Sequence, residues 1–237
     1  MIQTNWDARA ALNFMCGGAG AGLMIAAALL GLPGAAIVLA LALIGCGLGA
    51  VWLELGKPLR AVHVFFNPFT SWMARESFAA VLLFALGVAA FWRRELMPAA
   101  AVLAATFLWC QARMLQAGKG IPAWRADETV PLLVATGIAE GAGLALFFTG
   151  SVLALALLGA AVIARALFWA RHPNAVRQIG TVAILALAVA ASAYEPAAWL
   201  AGLAALATGW YLKFALVIRA SFKQGFALPR LPVRGTR

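Results

Sequence analysis

Residues 35–55 read AAIVLALALIGCGLGAVWLEL, an apolar run whose single charged residue, Glu54, lies at its end. At 1.5 Å per residue, such a run crosses the roughly 30 Å hydrocarbon core of a bilayer as one helix. The rest of the chain has the same character, because 65% of its 237 residues are hydrophobic, well above the roughly 45–50% of a soluble domain. The sequence therefore predicts an all-α integral membrane protein.

Eight apolar runs of this kind predict eight transmembrane helices within residues 1–219, followed by a basic cytoplasmic tail at 220–237. The connections between the runs alternate between short and long, a four-plus-four pattern that could reflect two four-helix bundles. Several runs are rich in Gly, and small residues let membrane helices approach each other closely. The predicted spans are 10–31, 35–55, 75–92, 97–115, 129–149, 152–170, 177–193 and 197–219.

The basic residues predict how the chain is oriented. Both termini and all three long connections fall on one side of the membrane, and sixteen of the eighteen Lys and Arg residues lie there. The other two are Arg93 and Arg94. Because basic residues concentrate in cytoplasmic loops, we expect a multi-pass protein of the bacterial inner membrane with both termini in the cytoplasm. A basic face could also dock an acidic partner.

Composition argues against several classes of protein and cofactor. A net charge of +10 would suggest nucleic acid in a soluble protein, but here the basic residues punctuate apolar runs, so no nucleic-acid partner is predicted. Cys16, Cys46 and Cys110 form no Cys-x-x-Cys motif, so we expect neither a metal site nor an iron–sulfur cluster in this chain. Haem binding would need pairs of inward histidines, and only His63 and His172 exist.

The connection between the second and third spans concentrates the polar chemistry of the chain. Two carboxylates, two arginines, a lysine and a histidine fall within residues 54–76, although only 11% of the chain is charged. Charged groups at a membrane are costly and often mark functional sites. One interpretation is a working site; the other is a solvated hairpin at the level of the lipid headgroups. The candidate site residues are Glu54, Arg60, His63, Trp72, Arg75 and Glu76.

The motifs in this hairpin resemble those of one family. Leu55-Gly56-Lys57-Pro58-Leu59-Arg60-Ala61, followed by Ser71 and by Glu76 at the opening of the third span, is similar to the membrane anchors of dimethyl sulfoxide reductase-type molybdoenzymes. The polysulfide reductase membrane subunits are a more distant likeness. Pro122-Ala123-Trp124 resembles the Pro-x-Trp found before the fifth span of the same family. Eight helices without haem also fit.

The resemblance implies a role in electron transfer. Such anchors hold a ferredoxin-like iron–sulfur subunit and a molybdopterin catalytic subunit at the membrane, and they exchange electrons with a quinone, either ubiquinone or menaquinone. It implies that the quinone headgroup is surrounded by Glu54, His63, Glu76, Arg60, Arg75 and Trp72. It also implies that the chain has no catalytic residues and catalyses no reaction without its partner subunits. Aromatic residues could wall the slot: Trp52, Phe65, Phe66, Phe69 and Trp72.

Two details bear on the direction and substrate of the reaction. The sequence departs from the family at Glu54, where those anchors have a histidine, and a carboxylate can accept a proton but cannot act as a cationic donor. The run from Lys119 to Arg125 resembles the anchor of phenylacetyl-CoA:acceptor oxidoreductase. With an inside orientation, a cytoplasmic acyl-CoA such as phenylacetyl-CoA becomes a candidate substrate of the catalytic subunit, and electrons would flow into quinone.

Glu140 is the one carboxylate predicted near the middle of a span, where an ionisable group usually faces the interior of a bundle. It could belong to a proton path or be a hydrogen-bonded structural group. Arg113, Arg165 and Lys213 are predicted to extend towards the basic face with their charges in water. The alternative function is a small-solute or proton-coupled transporter without a redox partner, which would place a polar site near the membrane midplane.

Overall fold

A computed structural model describes residues 6–53, 58–118, 120–169 and 175–222. In these ranges the regular structure is entirely helical. Short 3₁₀ segments cover Pro58–Phe66, Arg94–Leu96 and Ala220–Phe222, and a π-helical turn covers Ala215–Arg219. The α-helices are α1 (Ala8–Leu30), α2 (Gly34–Trp52), α3 (Trp72–Ala89), α4 (Met97–Gln116), the single turn α5 (Pro122–Arg125), α6 (Thr129–Ala145), α7 (Val152–Phe168), α8 (Ala175–Ala190) and α9 (Pro196–Phe214).

Local sequence explains where several of these helices begin and end. The carboxylate of Asp7 accepts hydrogen bonds from the first turn of α1, the shorter being 2.7 Å from the Arg9 amide. The hydroxyls of Ser71 and Ser151 cap α3 and α7 in the same way. α1 ends at Gly31, whose φ of 64° is the left-handed conformation that glycine adopts at little cost.

The chain is an α-helical, multi-pass membrane protein. Within the described ranges, five helices are long and apolar enough to cross a bilayer: α1, α2, α3, α4 and α9. The helices α6, α7 and α8 are shorter but also apolar. Large apolar side chains such as Val152 and Val189 are exposed on the outside, while Glu76 and Glu140 are buried. Lipid on the outside and polar groups on the inside account for this distribution.

Helix α1 is the centre of the packing. It contacts α2 and α4 in the first half of the chain, and α6 and α9 in the second half. α3 packs on α4, while α6 contacts both α7 and α9, and α8 lies against α7 and α9. The contacts thus group α1–α4 and α6–α9 on either side of the interface between α1 and α6. Fifteen of the 23 residues of α1 are buried, as expected for a helix with neighbours on every side.

Paired glycines bring α1 and α6 into backbone contact. Gly18 and Gly22 on α1 face Gly137 and Gly141 on α6, each pair being four residues apart. A methyl group added at Gly141 would overlap the backbone of Gly22, and one added at Gly22 would overlap the Gly137 carbonyl. The prediction that these glycines serve close packing is therefore confirmed at this crossing. Gly49, by contrast, meets nothing within 4 Å.

The observed helix bounds differ from the predicted spans at several ends. The run predicted at 75–92 begins earlier, at Trp72, because Ser71 caps it. The run predicted at 129–149 ends at Ala145, where the chain enters a turn in which the Leu146 amide donates to the Gly143 carbonyl. The last run, predicted at 197–219, changes from α-helical to π-helical hydrogen bonding at Ala215. No sequence pattern signalled this change.

Two predictions about basic side chains are wrong. Arg165 and Lys213 do not extend to water, since each side chain is 1% exposed. Both lie in the last turn of their helices, where outward extension was expected, but their side chains turn into the bundle. Arg113 is half-buried near the loop face, and its Nη1 donates to Gln116 Oε1 at 2.6 Å. The side chains of Arg165 and Lys213 turn inward because the negatively charged carboxylate of Glu140 lies inside the bundle.

Candidate functional site

The hairpin between α2 and α3 contains the 3₁₀ segment Pro58–Phe66 and a turn that ends at Ser71. Glu54 lies outside the described residues, as does the Leu55-Gly56-Lys57 part of the family motif. A 3₁₀ helix has three residues per turn, so side chains three apart share a face. Val62 and Phe65 therefore share one face of this segment, and His63 and Phe66 share the next.

An apolar groove of about 640 Å³ lies between α2, this 3₁₀ segment and α3. Trp52 and Phe65, two of the aromatic residues expected to wall a quinone slot, line it. Phe66 and Phe69 point away, with 68% and 90% of their side chains exposed. The remaining lining is aliphatic or aromatic apart from the hydroxyl of Ser77; it comprises Leu48, Gly49, Ala61, Val62, Val64, Ala80, Val81 and Phe84.

Ser77 is a site residue that sequence reasoning missed. Its Oγ donates a hydrogen bond to the Met73 carbonyl at 2.9 Å, which leaves the oxygen lone pairs available to accept one from a ligand in the groove. A serine on an apolar helix carries little signal by itself, because this bond to the preceding turn is common for a membrane helix. The signal that could have found it is the helical spacing of Ser77, Val81 and Phe84 on one face of α3.

His63 and Arg60 lie on the exposed side of the 3₁₀ segment. The Nδ1 of His63 is 3.1 Å from the Arg60 carbonyl oxygen. Since a carbonyl only accepts, Nδ1 is the donor, and in the neutral ring Nε2 is left as an acceptor. The imidazole also packs edge-on against Phe66, with ring centroids 5.1 Å apart. Neither His63 nor Arg60 lines the groove.

Arg75 and Trp72 form a separate basic cluster at the start of α3. Arg75 donates from Nε to the Pro68 carbonyl at 2.8 Å and from Nη2 to the Phe69 carbonyl at 2.6 Å. Its guanidinium lies 4.3 Å from the centre of the Trp72 ring, and that of Arg113 lies 5.0 Å from it. These contacts fix the turn before α3 and set two cations at the loop face.

Glu76 is buried and faces the interior rather than the groove. It is 3% exposed, and the Nε2 of Gln111 donates to its Oε1 at 3.4 Å and to the Asn13 carbonyl at 3.0 Å. The side chain of Asn13 also hydrogen-bonds the Glu76 carboxylate. Glu76 therefore joins α1, α3 and α4, and α3 itself separates its carboxylate from the groove.

A second polar cluster lies deeper in the bundle. Lys213 Nζ is 2.5 Å from Glu140 Oε2, and both side chains are fully buried. Arg165 acts electrostatically on the same carboxylate. Gly209 on α9 makes room for Glu140, and Gly18 on α1 makes room for the ammonium of Lys213, since a methyl group at either position would overlap them.

Gly18 links the cluster of Glu76 and Gln111 with the cluster of Glu140 and Lys213. The Oε1 of Gln111 lies 3.6 Å from the position that a Gly18 methyl group would occupy, which is also where the Lys213 ammonium stands. Gln111 thus has Glu76 on its amine side and Lys213 near its carbonyl side. A lone carboxylate in an apolar span requires a counter-charge, and Arg113, Arg165 and Lys213 are among the basic residues that the sequence places inside other spans. The sequence could therefore have predicted that Glu140 pairs with a basic residue, but not with which one.

A second, smaller cavity of about 190 Å³ lies at the loop ends of α6, α7 and α9. Aromatic rings of Phe168, Trp169 and Tyr211 form much of its wall, and Glu128 is at its rim. In the described part of the chain, no three His, Cys, Asp or Glu residues lie close enough to hold a metal ion.

No protein-family model matches this chain, and no curated protein matches it.

Proposed function

We propose that this protein is the haemless membrane anchor of a molybdopterin and iron–sulfur oxidoreductase, and that it exchanges electrons with the quinone pool. The observation that supports this role is the apolar groove beside the hairpin. The groove has the size and lining that a quinone ring and the start of its isoprenoid tail require. When bound, the quinone supplies the two-electron redox chemistry.

The residues in and near the groove have separate proposed roles in binding the quinone and in moving its protons. Trp52, Phe65 and Phe84 give flat apolar walls that exclude water from a ring between them. Ser77 Oγ accepts a hydrogen bond from a quinol hydroxyl. His63 Nε2 and Arg60, on the exposed side of the 3₁₀ segment, would connect the groove to water, and Glu54 is proposed to share this role. Glu76 would hold a proton behind α3.

Eight transmembrane helices complete the proposed architecture. The helices α6 and α7 have 17 residues each and α8 has 16, which is near the lower limit of about 17 for a spanning helix. Their exposed apolar surfaces and their contacts with spanning neighbours support a crossing of the membrane. With eight crossings, both termini and the long connections lie together on the basic side, which we place in the cytoplasm.

That basic side is the proposed docking surface for the iron–sulfur subunit. Arg75 and Arg113, held on the Trp72 ring, provide fixed positive charge next to the hairpin. An acidic partner surface would complement this charge and be steered towards the groove. A cytoplasmic catalytic subunit would take a cytoplasmic substrate, and an acyl-CoA such as phenylacetyl-CoA is the candidate that the Lys119–Arg125 run favours.

Filling the groove is expected to block only the transfer of electrons to quinone. In the native complex, Val81→Trp should lower quinone-coupled turnover by at least about tenfold, because an indole would occupy the space of the ring; this corresponds to roughly 1.4 kcal/mol. Turnover with an artificial dye, which takes electrons from the iron–sulfur subunit, should be unchanged. Val102→Trp is the matched control, since Val102 is also exposed but lies on α4 away from the groove. Equal effects of the two variants would contradict the assignment.

Glu76→Gln tests the proton-holding role separately. The amide keeps the shape and can keep one hydrogen bond to Gln111, but it cannot take up a proton. We expect quinone-coupled turnover to fall by about tenfold or more, with dye-coupled turnover and thermal stability preserved. Glu195→Gln, at the far end of α9, is the control for loss of a carboxylate. Parallel loss of both activities would assign Glu76 a structural role instead.

A proton-coupled or small-solute transporter is the second candidate function. The buried Glu140–Lys213 pair favours it, because transporters place ionisable groups within the span and interrupt their helices nearby. The π-turn that directly follows Lys213 is such an interruption. Uptake of a solute by proteoliposomes that contain this chain alone would favour the transporter, and redox-dependent activity in a complex would favour the anchor.

A further inference from the structure

Three buried charges on α6, α7 and α9 do not balance. Glu140, Arg165 and Lys213 are each no more than 1% exposed, and together they comprise two cations and one anion. Lys213 is paired with Glu140 at 2.5 Å. Arg165 acts on Glu140 electrostatically, but among the described residues it forms no ion pair within 4.0 Å. The cluster therefore carries one positive charge without a direct counter-charge.

Among the described residues, polar atoms of Arg165 and Glu140 are left without hydrogen-bond partners. Within the described part of the chain, the Nε and Nη1 of Arg165 donate no hydrogen bond, and the Oε1 of Glu140 accepts none. A buried charged donor without an acceptor is destabilising by several kcal/mol, and native structures rarely leave one. A buried guanidinium N–H without an acceptor is a charge-assisted donor that suits an anion.

A cavity lies on the loop side of this cluster, and none of the three charged residues lines it. The cavity of about 190 Å³ has Leu132, Trp169 and Leu212 in its wall, and these three side chains pack together. Trp169 follows Arg165 by one helical turn, and Leu132 precedes Glu140 by two turns, so cavity and cluster lie along the same helix faces. Arg219 stands over the Tyr211 ring at 5.6 Å beside this cavity. Glu128 also lines it, so selection would occur at Arg165 rather than at the mouth.

We propose that the Arg165–Glu140–Lys213 cluster binds one small monovalent anion, of the size of chloride or formate, which enters through this cavity. The anion accepts hydrogen bonds from Arg165 and balances the extra charge. The side chains of Leu132, Trp169 and Leu212 separate the cavity from the cluster and exclude larger anions. Glu140 competes with the anion for the same cations. This site is independent of the quinone role, so either proposal can fail alone.

Equilibrium binding of radiolabelled chloride to the purified full-length protein, in chloride-free gluconate buffer, tests the proposal. We expect one saturable site per chain, from which formate displaces chloride and gluconate does not. Glu140→Gln should tighten binding by at least about fivefold, because it removes the competing negative charge. Arg165→Gln should weaken binding by at least about tenfold, because it removes the charge-assisted hydrogen bonds.

The matched control is Arg93→Gln, which removes an equal charge from the exposed pair with Glu95 on the opposite side. It should leave binding unchanged. Should Arg165→Gln fail to fold, Arg165→Lys keeps the charge but removes the guanidinium N–H groups, and the effect of Glu140→Gln remains decisive by its sign. Absence of saturable binding in the unmodified protein, weaker or unchanged binding in Glu140→Gln, or equal effects of the Arg165 and Arg93 variants would each overturn the proposal.

Discussion

Replacement of Gly141 by alanine is expected to destabilise the protein by about 3 kcal/mol, the upper part of the range for overpacking. The added methyl group would overlap the backbone of Gly22 and Leu23 on α1. A side chain can rotate away from such a contact, but two helix backbones can only separate. Since α1 contacts both halves of the bundle, separation at this crossing would loosen α1 against α6 and α9 together.

The measurement is the thermal unfolding midpoint and the folded yield in detergent, compared with Gly159→Ala. Gly159 is also in the interior of a helix, but the nearest atom to an added methyl group is 4.0 Å away. That control should be neutral or slightly stabilising, because alanine favours a helix over glycine by up to about 1 kcal/mol. If Gly141→Ala were as stable as Gly159→Ala, the close crossing of α1 and α6 would be refuted.

Removal of Lys213 is expected to be the second large effect. Lys213→Met leaves the Glu140 carboxylate buried without its direct partner, and breaking a buried ion pair in this way costs about 3–5 kcal/mol. Glu140→Gln should cost less, because the amide keeps the shape and can accept a hydrogen bond from Lys213. The double variant removes both charges of the pair, so much of the loss in Lys213→Met should be recovered.

A double-mutant cycle on the unfolding midpoint measures this coupling. We expect the double variant to be more stable than Lys213→Met alone by at least about 1 kcal/mol, in line with couplings between contacting residues. Arg125→Met provides a control for loss of an exposed basic residue and should change nothing. Strictly additive effects of the two substitutions would show that Lys213 and Glu140 do not interact in the folded protein.

The class of fold could be predicted from the sequence because a membrane helix is recognisable from a continuous stretch of the chain. Length and hydropathy mark each helix, and glycine pairs four residues apart mark where two helices can cross. Helix ends were less predictable, as at Ala145, because turns and caps depend on local hydrogen bonds. The π-turn after Phe214 could not be anticipated, since it arises where Trp124 Nε1 donates to the Leu216 carbonyl at 2.7 Å.

The candidate site was predictable only in part. Trp52 and Phe65 line an apolar groove, but Phe66 and Phe69 do not, because the three-residue period of the 3₁₀ segment turns Phe66 outward and Phe69 lies in the turn after that segment. Glu76 is close to the hairpin in sequence, yet its carboxylate faces α1 and α4. Which face of a membrane helix is buried depends on its neighbours, and apolar residues on both faces conceal that choice.

The cluster of Glu140, Arg165 and Lys213 shows most clearly that the direction of a side chain depends on the packed neighbours. Glu140 was recognisable as an inward-facing group from its position within an apolar run. The long side chains of Arg165 and Lys213 could reach either water or the interior from the last turn of their helices. For Lys213, the space that Gly18 leaves for the ammonium beside the Glu140 carboxylate permits the inward course, and this space exists only once α1, α6 and α9 are assembled.

Identification of the native partners tests the central claim most directly. The tagged chain would be captured from the membranes of its own host in mild detergent, with mass spectrometry of the co-purified proteins and determination of iron and molybdenum. The anchor proposal predicts a cysteine-rich, ferredoxin-like iron–sulfur subunit and a molybdopterin subunit in equal amounts with this chain. Capture of the chain without an iron–sulfur subunit, and without iron above background, would contradict it.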